Sequence, residues 1–240
     1  MGFASRTDAE QMIIQGRVKV DDIVVRDPER RTYIDRDFIE VDGQFIQAHQ
    51  KSYFVFHKPT DVLTTFKDPQ GRTTVYDFIP KNMTWIFPIG RLDANTSGLL
   101  IFTNDTNFGE KVTNNRWGVE KTYEVKARGV LSDVMIERLK AGVRLDDGYR
   151  TLPCRCVVDK INEGTTWLTL TLQEGKNRQI RRMLEAVGSE VVKLRRVAIG
   201  RLELGDLKSG ELREIPQSEI FRKVLGPSAL DSDSIQKKKK

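Results

Sequence analysis

The chain has 240 residues, of which 38% are hydrophobic and 31% are charged, and its formal net charge at pH 7 is +6. This length and composition are ordinary for one or two folded domains. The sequence contains no apolar run near the roughly 20 residues of a membrane span, and no secretory pattern at its start, so we expect a cytoplasmic protein.

Cysteine and histidine are scarce. Cys154 and Cys156 stand one residue apart in a predicted strand. That spacing fits neither a disulfide framework nor a CxxC zinc site. His49 and His57 are the two histidines of the chain, so a histidine-based metal centre is not expected. The sequence predicts reduced thiols and no metal.

The first 48 residues are predicted to form a small α/β module. Thr7 and Glu10 have the spacing of a capping box, and a helix is expected to follow and to end at Gly16. Apolar residues around a turn predict two short strands within 17–25. A hairpin is predicted over 38–46, because the Asp-Gly pair at its centre tolerates the positive φ of a type I′ turn.

Residues 53–226 are predicted to form a second domain. Its strands outnumber its helices and do not alternate regularly with them, which favours an α+β fold with a mainly antiparallel mixed sheet and flanking helices. In chain order, the predicted elements are strands at 52–57, 99–102, 122–128 and 167–172, a helix at 134–141, and a last helix that begins at Pro216.

Basic residues are concentrated late in the chain. Residues 176–201 contain eight Lys or Arg and two Glu, whereas residues 1–48 contain seven Lys or Arg and ten Asp or Glu. A dense basic cluster is typical of a surface that binds a polyanion, although a solvated helix and strand would look similar. Residues 227–240 end in four lysines and are predicted to be a disordered basic tail that tethers phosphates weakly at most.

One loop is a candidate site for chemistry. Gly90 permits a tight bend, after which Asp93 precedes an apolar run, residues 99–102, that suits a strand buried on both faces. Asp93 is therefore expected on a loop held by a rigid scaffold, where reactive side chains are often placed. A carboxylate that only caps a turn is the alternative.

A helix predicted over 177–187 supplies a candidate partner for Asp93. Its apolar residues fall on one stripe and its arginines on another face. Arg181 is the candidate partner, because its planar guanidinium matches the geometry of a carboxylate. The stripe comprises Ile180, Met183, Leu184 and Val187, and the other face comprises Arg178, Arg181 and Arg182.

Four segments, in the same order, resemble motifs of the RNA pseudouridine synthases of the RsuA/RluB/RluE/RluF group. The resemblance spans about residues 53–215. Residues 1–48 resemble an S4-type RNA-binding domain whose leading helix is missing, so the module is expected to be truncated or abbreviated. The four segments are Lys-Pro at 58–59 with Asp-Pro-Gln-Gly-Arg at 68–72, Gly-Arg-Leu-Asp at 90–93 with residues 96–105, Glu-Lys-Thr-Tyr at 120–123, and residues 174–183.

The resemblance implies a cofactor-free isomerase that converts a uridine of ribosomal RNA to pseudouridine, with 23S favoured over 16S as the substrate. It implies that Asp93 is the nucleophile, that Arg181 pairs with it, and that Tyr123 stacks on a flipped base and assists proton removal at C5. It also associates Arg91 with displacement of that base. Attack at C1′, attack at C6 and removal of the 2′ proton all remain open for Asp93.

The same reading supplies a set of RNA contacts. We expect ribosomal RNA as the partner, no membrane, no metal and a monomer. For Arg178 and Arg182, plain surface charge is as good an explanation as phosphate binding. The candidate RNA-binding residues are Arg91, Lys176, Arg178, Arg182, Arg195 and Arg196 in the second domain and Arg6, Arg17 and Lys19 in the first.

Two other classes of function compete with this reading. One is a non-catalytic RNA-binding or ribosome-assembly protein on the same scaffold, which would have no need to keep Asp93, Tyr123 and Arg181. The other is a hydrolase with a second acid. Asp105 is the candidate for that acid, but its Asn-Asp context indicates a turn that ends a strand.

Overall fold

The computed structural model describes residues 4, 6–33, 36–46, 50–83 and 85–227. The chain divides into two compact units, one formed by residues 1–51 with 82–86 and the other by residues 52–81 with 87–240. The predicted tail beyond residue 227 lies outside the described residues. None of the helices in the described ranges is long and apolar enough to cross a membrane.

The smaller unit is one helix and an antiparallel sheet. Apolar residues from the sheet and from the inner side of the helix, such as Val20, Val41 and Ile13, share one core cluster. In the part of this unit that is described, the strand order is β2-β1-β3-β4. The elements are α1 (Arg6–Ile14), β1 (Val18–Val20), β2 (Ile23–Val25), β3 (Ile39–Val41) and β4 (Gln44–Ile46).

Two sequence predictions for this unit have different outcomes. The hairpin over 38–46 is confirmed, and its turn residues Asp42 and Gly43 have φ angles of +51° and +76°. The capping box at Thr7 is wrong, because α1 already begins at Arg6 and Thr7 lies inside its first turn. An N-cap contributes only about 1 kcal/mol, which is too little to fix a helix boundary by itself.

The larger unit is built on a twisted sheet with helices packed against it. Two 3₁₀ helices, Val75–Phe78 and Asn115–Trp117, interrupt its loops. Its elements are β5 (Tyr53–Lys58), β6 (Phe87–Pro88), β7 (Ser97–Thr103), α2 (Thr106–Thr113), β8 (Lys121–Arg128), α3 (Asp133–Ala141), β9 (Arg155–Asn162), β10 (Thr165–Leu172), α4 (Gln179–Ala186), β11 (Val191–Ile199), β12 (Leu202–Glu203), β13 (Leu212–Glu214) and α5 (Gln217–Val224).

The predicted α+β fold with a mainly antiparallel sheet is confirmed. Over the described residues, the main path of the sheet runs β13-β5-β7-β11-β8-β10-β9, with β12 beside β11 and β6 beside β7. The pairing of β7 with β11 is parallel, and the other pairings are antiparallel. Because β7 and β11 are central strands, the segments next to them in the sequence lie at the middle of the sheet.

Strand β7 is buried along its whole length, as the unbroken apolar run predicted. Leu99 and Ile101 belong to a core cluster with residues of α2 and α5. Phe102 packs edge-on against Phe56 of β5, with ring centroids 5.8 Å apart. A strand covered in this way cannot shift its register without exposing apolar side chains, so it holds the loop before it in a fixed place.

Gly98 marks the closest approach of β7 to β11. Its φ is +112°, and a Cβ built on it would lie 2.2 Å from the carbonyl oxygen of Arg196. A side chain is therefore excluded at this position by both backbone conformation and space. The glycine allows the two strands to pair directly beside the loop that carries Asp93.

Candidate active site

The loop that carries Asp93 is tied to the sheet by hydrogen bonds. Gly90 has a φ of +71°, which allows the bend predicted from the sequence. The Ile89 amide donates to the Ile101 carbonyl at 2.7 Å, and the Thr64 hydroxyl donates to the Leu92 carbonyl at 2.8 Å. The Asp93 side chain is 33% exposed. The Asp93 carboxylate is therefore accessible to a ligand, while hydrogen bonds hold the backbone of the loop in place.

Lys58 anchors the other end of this loop. Its side chain is completely buried at the end of β5. Its Nζ donates to the carbonyl oxygens of Ala94 at 3.1 Å and Thr96 at 2.9 Å, and also to that of Pro59 at 2.8 Å. Burial lowers the pKa of Lys58 to about 8, and the nearby carboxylates oppose that shift. No catalytic role is predicted for Lys58 from the sequence, although a lysine at the end of an apolar strand is a signal of a buried anchor.

We expect Lys58→Met to destabilise the protein by about 2 kcal/mol, because two loop carbonyls lose their buried donor. Pseudouridine-forming activity should fall with it, since the loop that carries Asp93 is loosened. Urea unfolding measures the first effect. Lys160→Met, at an exposed position on edge strand β9, is the control and should leave stability within about 0.5 kcal/mol of the wild type. Equal stability of the two variants would contradict the anchoring role.

Arg181 projects from α4 to the same loop. Its residue is 8% exposed, and its Nη2 donates to the Asn95 carbonyl at 3.0 Å. Its Nε lies 3.9 Å from Asp93 Oδ2, within ion-pair range but too far for a hydrogen bond. That Nε is buried and has no hydrogen-bond partner among the described residues. Burial lowers the pKa of Arg181, an effect that Arg178 reinforces and Asp93 opposes. The Nε–H of Arg181 is therefore a free hydrogen-bond donor on the side of the loop that carries the Asp93 carboxylate.

The helix that carries Arg181 is shorter than predicted. α4 begins at Gln179, two residues later than expected, and Arg178 precedes it in the left-handed conformation with a φ of +48°. The reason is a closed turn, in which the Lys176 amide donates to Gln179 Oε1 at 2.9 Å and the Gln179 amide donates to the Lys176 carbonyl at 3.1 Å. Arg178 consequently does not share a helical face with Arg181 and Arg182.

A cavity of about 640 Å³ opens beside Asp93 and Arg181. Tyr123 of β8 lines it, half-buried, with its ring also packed against the core cluster under α3 and α4. The structure thus brings all three predicted catalytic residues to one cavity. Apolar side chains complete much of its wall, and they include Ile89, Leu92, Val112, Leu172, Ile180, Leu194 and Ile199.

Two further cations line this cavity. Lys121 is 9% exposed and Arg196 is 5% exposed. Arg196 Nε donates to the Leu99 carbonyl at 2.7 Å, whereas its buried Nη2 has no partner within the described part of the chain. Burial, reinforced by the charge of Arg196, lowers the pKa of Lys121 to about 8. Arg196 is predicted from the sequence as an RNA contact, whereas Lys121 is not among the predicted site residues.

The lowered pKa of Lys121 predicts a pH-dependent stability difference. Below pH 8 the folded and unfolded states both hold the proton, so the buried charge costs its full amount, up to about 3 kcal/mol. Between pH 8 and 10.5 the folded state releases the proton first, so that cost shrinks as the pH rises. Lys121→Met should therefore be more stable than the wild type at pH 7, with a gain that fades by pH 10. A gain that is constant with pH, measured by urea unfolding, would contradict this.

The exposed candidates for RNA contacts surround the mouth of the cavity. Arg91, Lys176 and Arg178 are all exposed, and all three line it. Lys176 Nζ lies 4.6 Å from the centre of the Tyr149 ring, a cation–π contact that holds the side chain near the mouth. The phosphate groups of a bound polyanion could contact these three cations while they remain hydrated.

The other candidates are paired with acids. Arg182 forms ion pairs with Asp146 and Asp147, and Arg195 pairs with Glu124 at 2.6 Å. In the smaller unit, Arg17 hydrogen-bonds to Asp42, and Lys19 Nζ is 4.0 Å from Glu40. The side chain of Arg6 lies outside the described residues. Pairing reduces the net charge these residues offer a ligand, which the sequence could not show because the acids come from other segments.

Hydrogen bonds engage two other acids, Asp105, which is the candidate second acid from the sequence, and Glu174. Asp105 caps α2 through the Phe108 amide and accepts a 2.7 Å hydrogen bond from the Tyr53 hydroxyl. Glu174 lines the cavity but is 1% exposed and accepts hydrogen bonds from Tyr149, Leu152 and Gln179. No group of three or more metal-ligating side chains occurs in the described ranges. Asp93 is therefore the cavity carboxylate with an oxygen available to a ligand.

Comparison with family models gives two matches. Residues 52–186 match the model of RNA pseudouridylate synthase, and residues 1–31 match that of the S4 domain. The first match contains the Asp93 loop, Tyr123 and Arg181. It covers more than half of the chain.

Similar proteins agree with these matches. The chain is 38% identical to ribosomal large subunit pseudouridine synthase B of Bacillus subtilis, over 92% of this chain and 91% of the relative. It is 36% identical to an RNA pseudouridine synthase of Aquifex aeolicus, over 91% and 88% of the two chains. Among solved structures, a pseudouridylate synthase superimposes with a TM-score of 0.68 at 27% identity, covering 93% of this chain and 95% of the other.

Proposed function

This chain belongs to the RNA pseudouridylate synthase family, and we propose that it converts a specific uridine of ribosomal RNA, in 23S rather than 16S, to pseudouridine. The name of the Bacillus subtilis relative, a large-subunit enzyme similar along nearly the whole chain, supports this choice of substrate. The observation that carries the site assignment is the placement of the Arg181 guanidinium 3.9 Å from the Asp93 carboxylate at the edge of a cavity.

The reaction is an isomerisation that needs no added group. The bond from ribose C1′ to N1 of uracil breaks and a bond from C1′ to C5 forms, while C5 loses a proton and N1 gains one. We assign Asp93 as the nucleophile that stabilises the reacting sugar, with Arg181 keeping the carboxylate ionised and oriented. Tyr123 is assigned as the surface on which the base stacks, and as a group that assists the loss of the C5 proton.

The base must leave its stack to reach Asp93. For the reaction to take place in the cavity, the nucleotide must rotate out of the RNA stack. This costs a few kcal/mol, and it costs least in loops. The cavity volume and the half-buried Tyr123 ring suit an extruded uracil. The cations at the mouth, Arg91, Lys176 and Arg178, suit the phosphates on either side, and we assign Arg91 to displacement of the base.

The two parts of the chain have separate tasks in this proposal. Residues 1–48 form an S4-like RNA-binding module, and residues 53–226 form the catalytic domain. The match of residues 1–31 to the S4 domain supports the first assignment, and the position of the cavity residues supports the second. Residues 1–48 contain seven Lys or Arg and ten Asp or Glu, and both Arg17 and Lys19 are paired with acids, so the module has no net positive charge for binding RNA on its own.

A tritium-release assay tests this function. The protein is incubated with 16S or 23S transcripts that carry [5-³H]uridine, and released tritium is counted because the C5 proton is lost when pseudouridine forms. We expect release from 23S at one site per molecule and little from 16S. Release from 16S alone would overturn the choice of subunit. RNA binding without release from either transcript would instead support a non-catalytic RNA-binding protein.

A further inference from the structure

Lys121 and Arg196 form an unusual pair for a protein interior. Both are more than nine-tenths buried, and the charge of Arg196 acts on Lys121. Neither has an ion-pair partner among the residues that the structure describes. Burying a charge without a partner costs several kcal/mol, and an unmet buried N–H adds to that cost. An anion bound beside these two cations would therefore offset the free-energy cost of burying their charges.

The sheet directs both cations to the place where the base is expected. Lys121 and Tyr123 are two residues apart on β8, so their side chains share one face of the strand. Arg196 lies directly opposite Tyr123 in the antiparallel pairing of β11 with β8. All three residues line the same cavity. A uracil stacked on Tyr123 would therefore have the two cations along its edge.

Burial separates this pair from the cations that suit phosphates. Arg91, Lys176 and Arg178 at the mouth are exposed, where a phosphodiester can stay hydrated. Lys121 and Arg196 line the same cavity but are buried, so they face the part of a nucleotide that enters it. In a flipped nucleotide that part is the base, and neutral uracil carries no charge to match two cations. The anion must therefore form during the reaction.

We propose that Lys121 and Arg196 are catalytic residues that stabilise the negative charge on the uracil ring as it detaches from the ribose. This deepens the proposed function and rests on it. The C1′–N1 electron pair leaves with the ring, which becomes a monoanion with charge on N1, O2 and O4. The electron-deficient C1′ either bonds to the Asp93 carboxylate or is relieved by loss of the 2′ proton to it. C5 then bonds to C1′ as the bond from C1′ to Asp93 breaks, or, on the other route, as Asp93 returns the proton to C2′. C5 finally loses its own proton and N1 takes one up, which leaves Asp93 as it began.

The test uses single-turnover kinetics with Lys121→Met, which keeps the length of the side chain and removes the charge. The substrate is a short RNA that carries either uridine or 5-fluorouridine at the modified position, and digestion to nucleosides measures its conversion. Loss of a preorganised charge should lower the uridine rate about 100-fold. Fluorine makes the detached ring a better leaving group, so the deficit relative to the wild type should shrink about tenfold on 5-fluorouridine. The dissociation constant for RNA should stay within about twofold.

Two variants complete the experiment. Lys121→Arg keeps a cation and should recover most of the rate. Lys126→Met removes the same charge from the same strand outside the cavity, where Lys126 rests against the Trp167 ring, and should match the wild type. Thermal unfolding confirms that Lys121→Met is folded.

The remaining outcomes reject the inference in distinguishable ways. Weaker RNA binding with an unchanged rate at saturating enzyme would assign Lys121 to a phosphate contact instead. An equal deficit on both substrates would show that Lys121 does not act on the leaving group. Failure of the wild type to convert uridine in any ribosomal RNA would reject the proposed function, and the inference with it.

Discussion

Replacing Asp93 with Asn should abolish pseudouridine formation while RNA binding and folding persist. The amide has the shape of the carboxylate but is neutral and a far weaker nucleophile, so the rate should fall by roughly 10⁴-fold or more. The side chain is partly exposed, and none of the described residues donates to it a hydrogen bond that holds the loop together; the loop depends instead on Thr64 and Lys58. Tritium release and a filter-binding assay measure the two properties separately.

A matched control is Asp133→Asn, which makes the same chemical change at an exposed position in the first turn of α3. It should keep full activity, because α3 contributes no residue to the lining of the cavity. Tritium release by Asp93→Asn at a rate close to that of this control would remove Asp93 from the mechanism. Loss of RNA binding together with activity would place Asp93 in substrate recognition instead.

Replacing Gly98 with Ala should destabilise the larger unit by about 4 kcal/mol, enough to unfold a marginal protein. The added Cβ would lie 2.2 Å from the Arg196 carbonyl oxygen and 2.6 Å from its amide nitrogen. Both atoms belong to the backbone of a central strand, so no side-chain movement relieves the clash. The φ of +112° adds the strain of a conformation that residues with a Cβ avoid.

The control for this prediction is Gly164→Ala, in the turn between β9 and β10. Gly164 also has a positive φ, +70°, but a Cβ there would meet nothing within 4 Å. This variant isolates the conformational strain and should cost about 1 kcal/mol. Urea unfolding of the two variants separates the steric effect from the backbone effect. Equal losses of stability would show that β7 and β11 can move apart without penalty.

Elements fixed by local chemistry were predictable from the sequence. The hairpin turn at Asp42–Gly43, the strand at 99–102 and the bend at Gly90 each follow from the residues at that point, and the structure contains all three. Helix and strand boundaries were less accurate, as at Thr7 and Arg178, because each boundary depends on a turn or cap of small energy that periodicity does not reveal.

Relations between distant segments were not predictable in the same way. The parallel pairing of β7 with β11 gives Arg196 its place in the cavity, yet nothing local to residues 191–199 indicates it. Lys58 and Lys121 likewise appear in the sequence as charged residues at the ends of predicted strands, where charged side chains usually face solvent. Their burial follows from which faces of the sheet are covered. For Arg182, the acids of a separate turn decide its electrostatic state.

The parallel pairing of β7 with β11 also limits when the cavity can form during synthesis of the chain. Asp93 emerges from the ribosome long before Arg181 and Arg196, and β7 has no parallel neighbour until β11 has been translated. Contacts between such distant segments form late and slow folding. A growing chain therefore exposes the loop that carries Asp93 before α4 and β11 can pack beside it, and the cavity closes only after residues 191–199 have been translated.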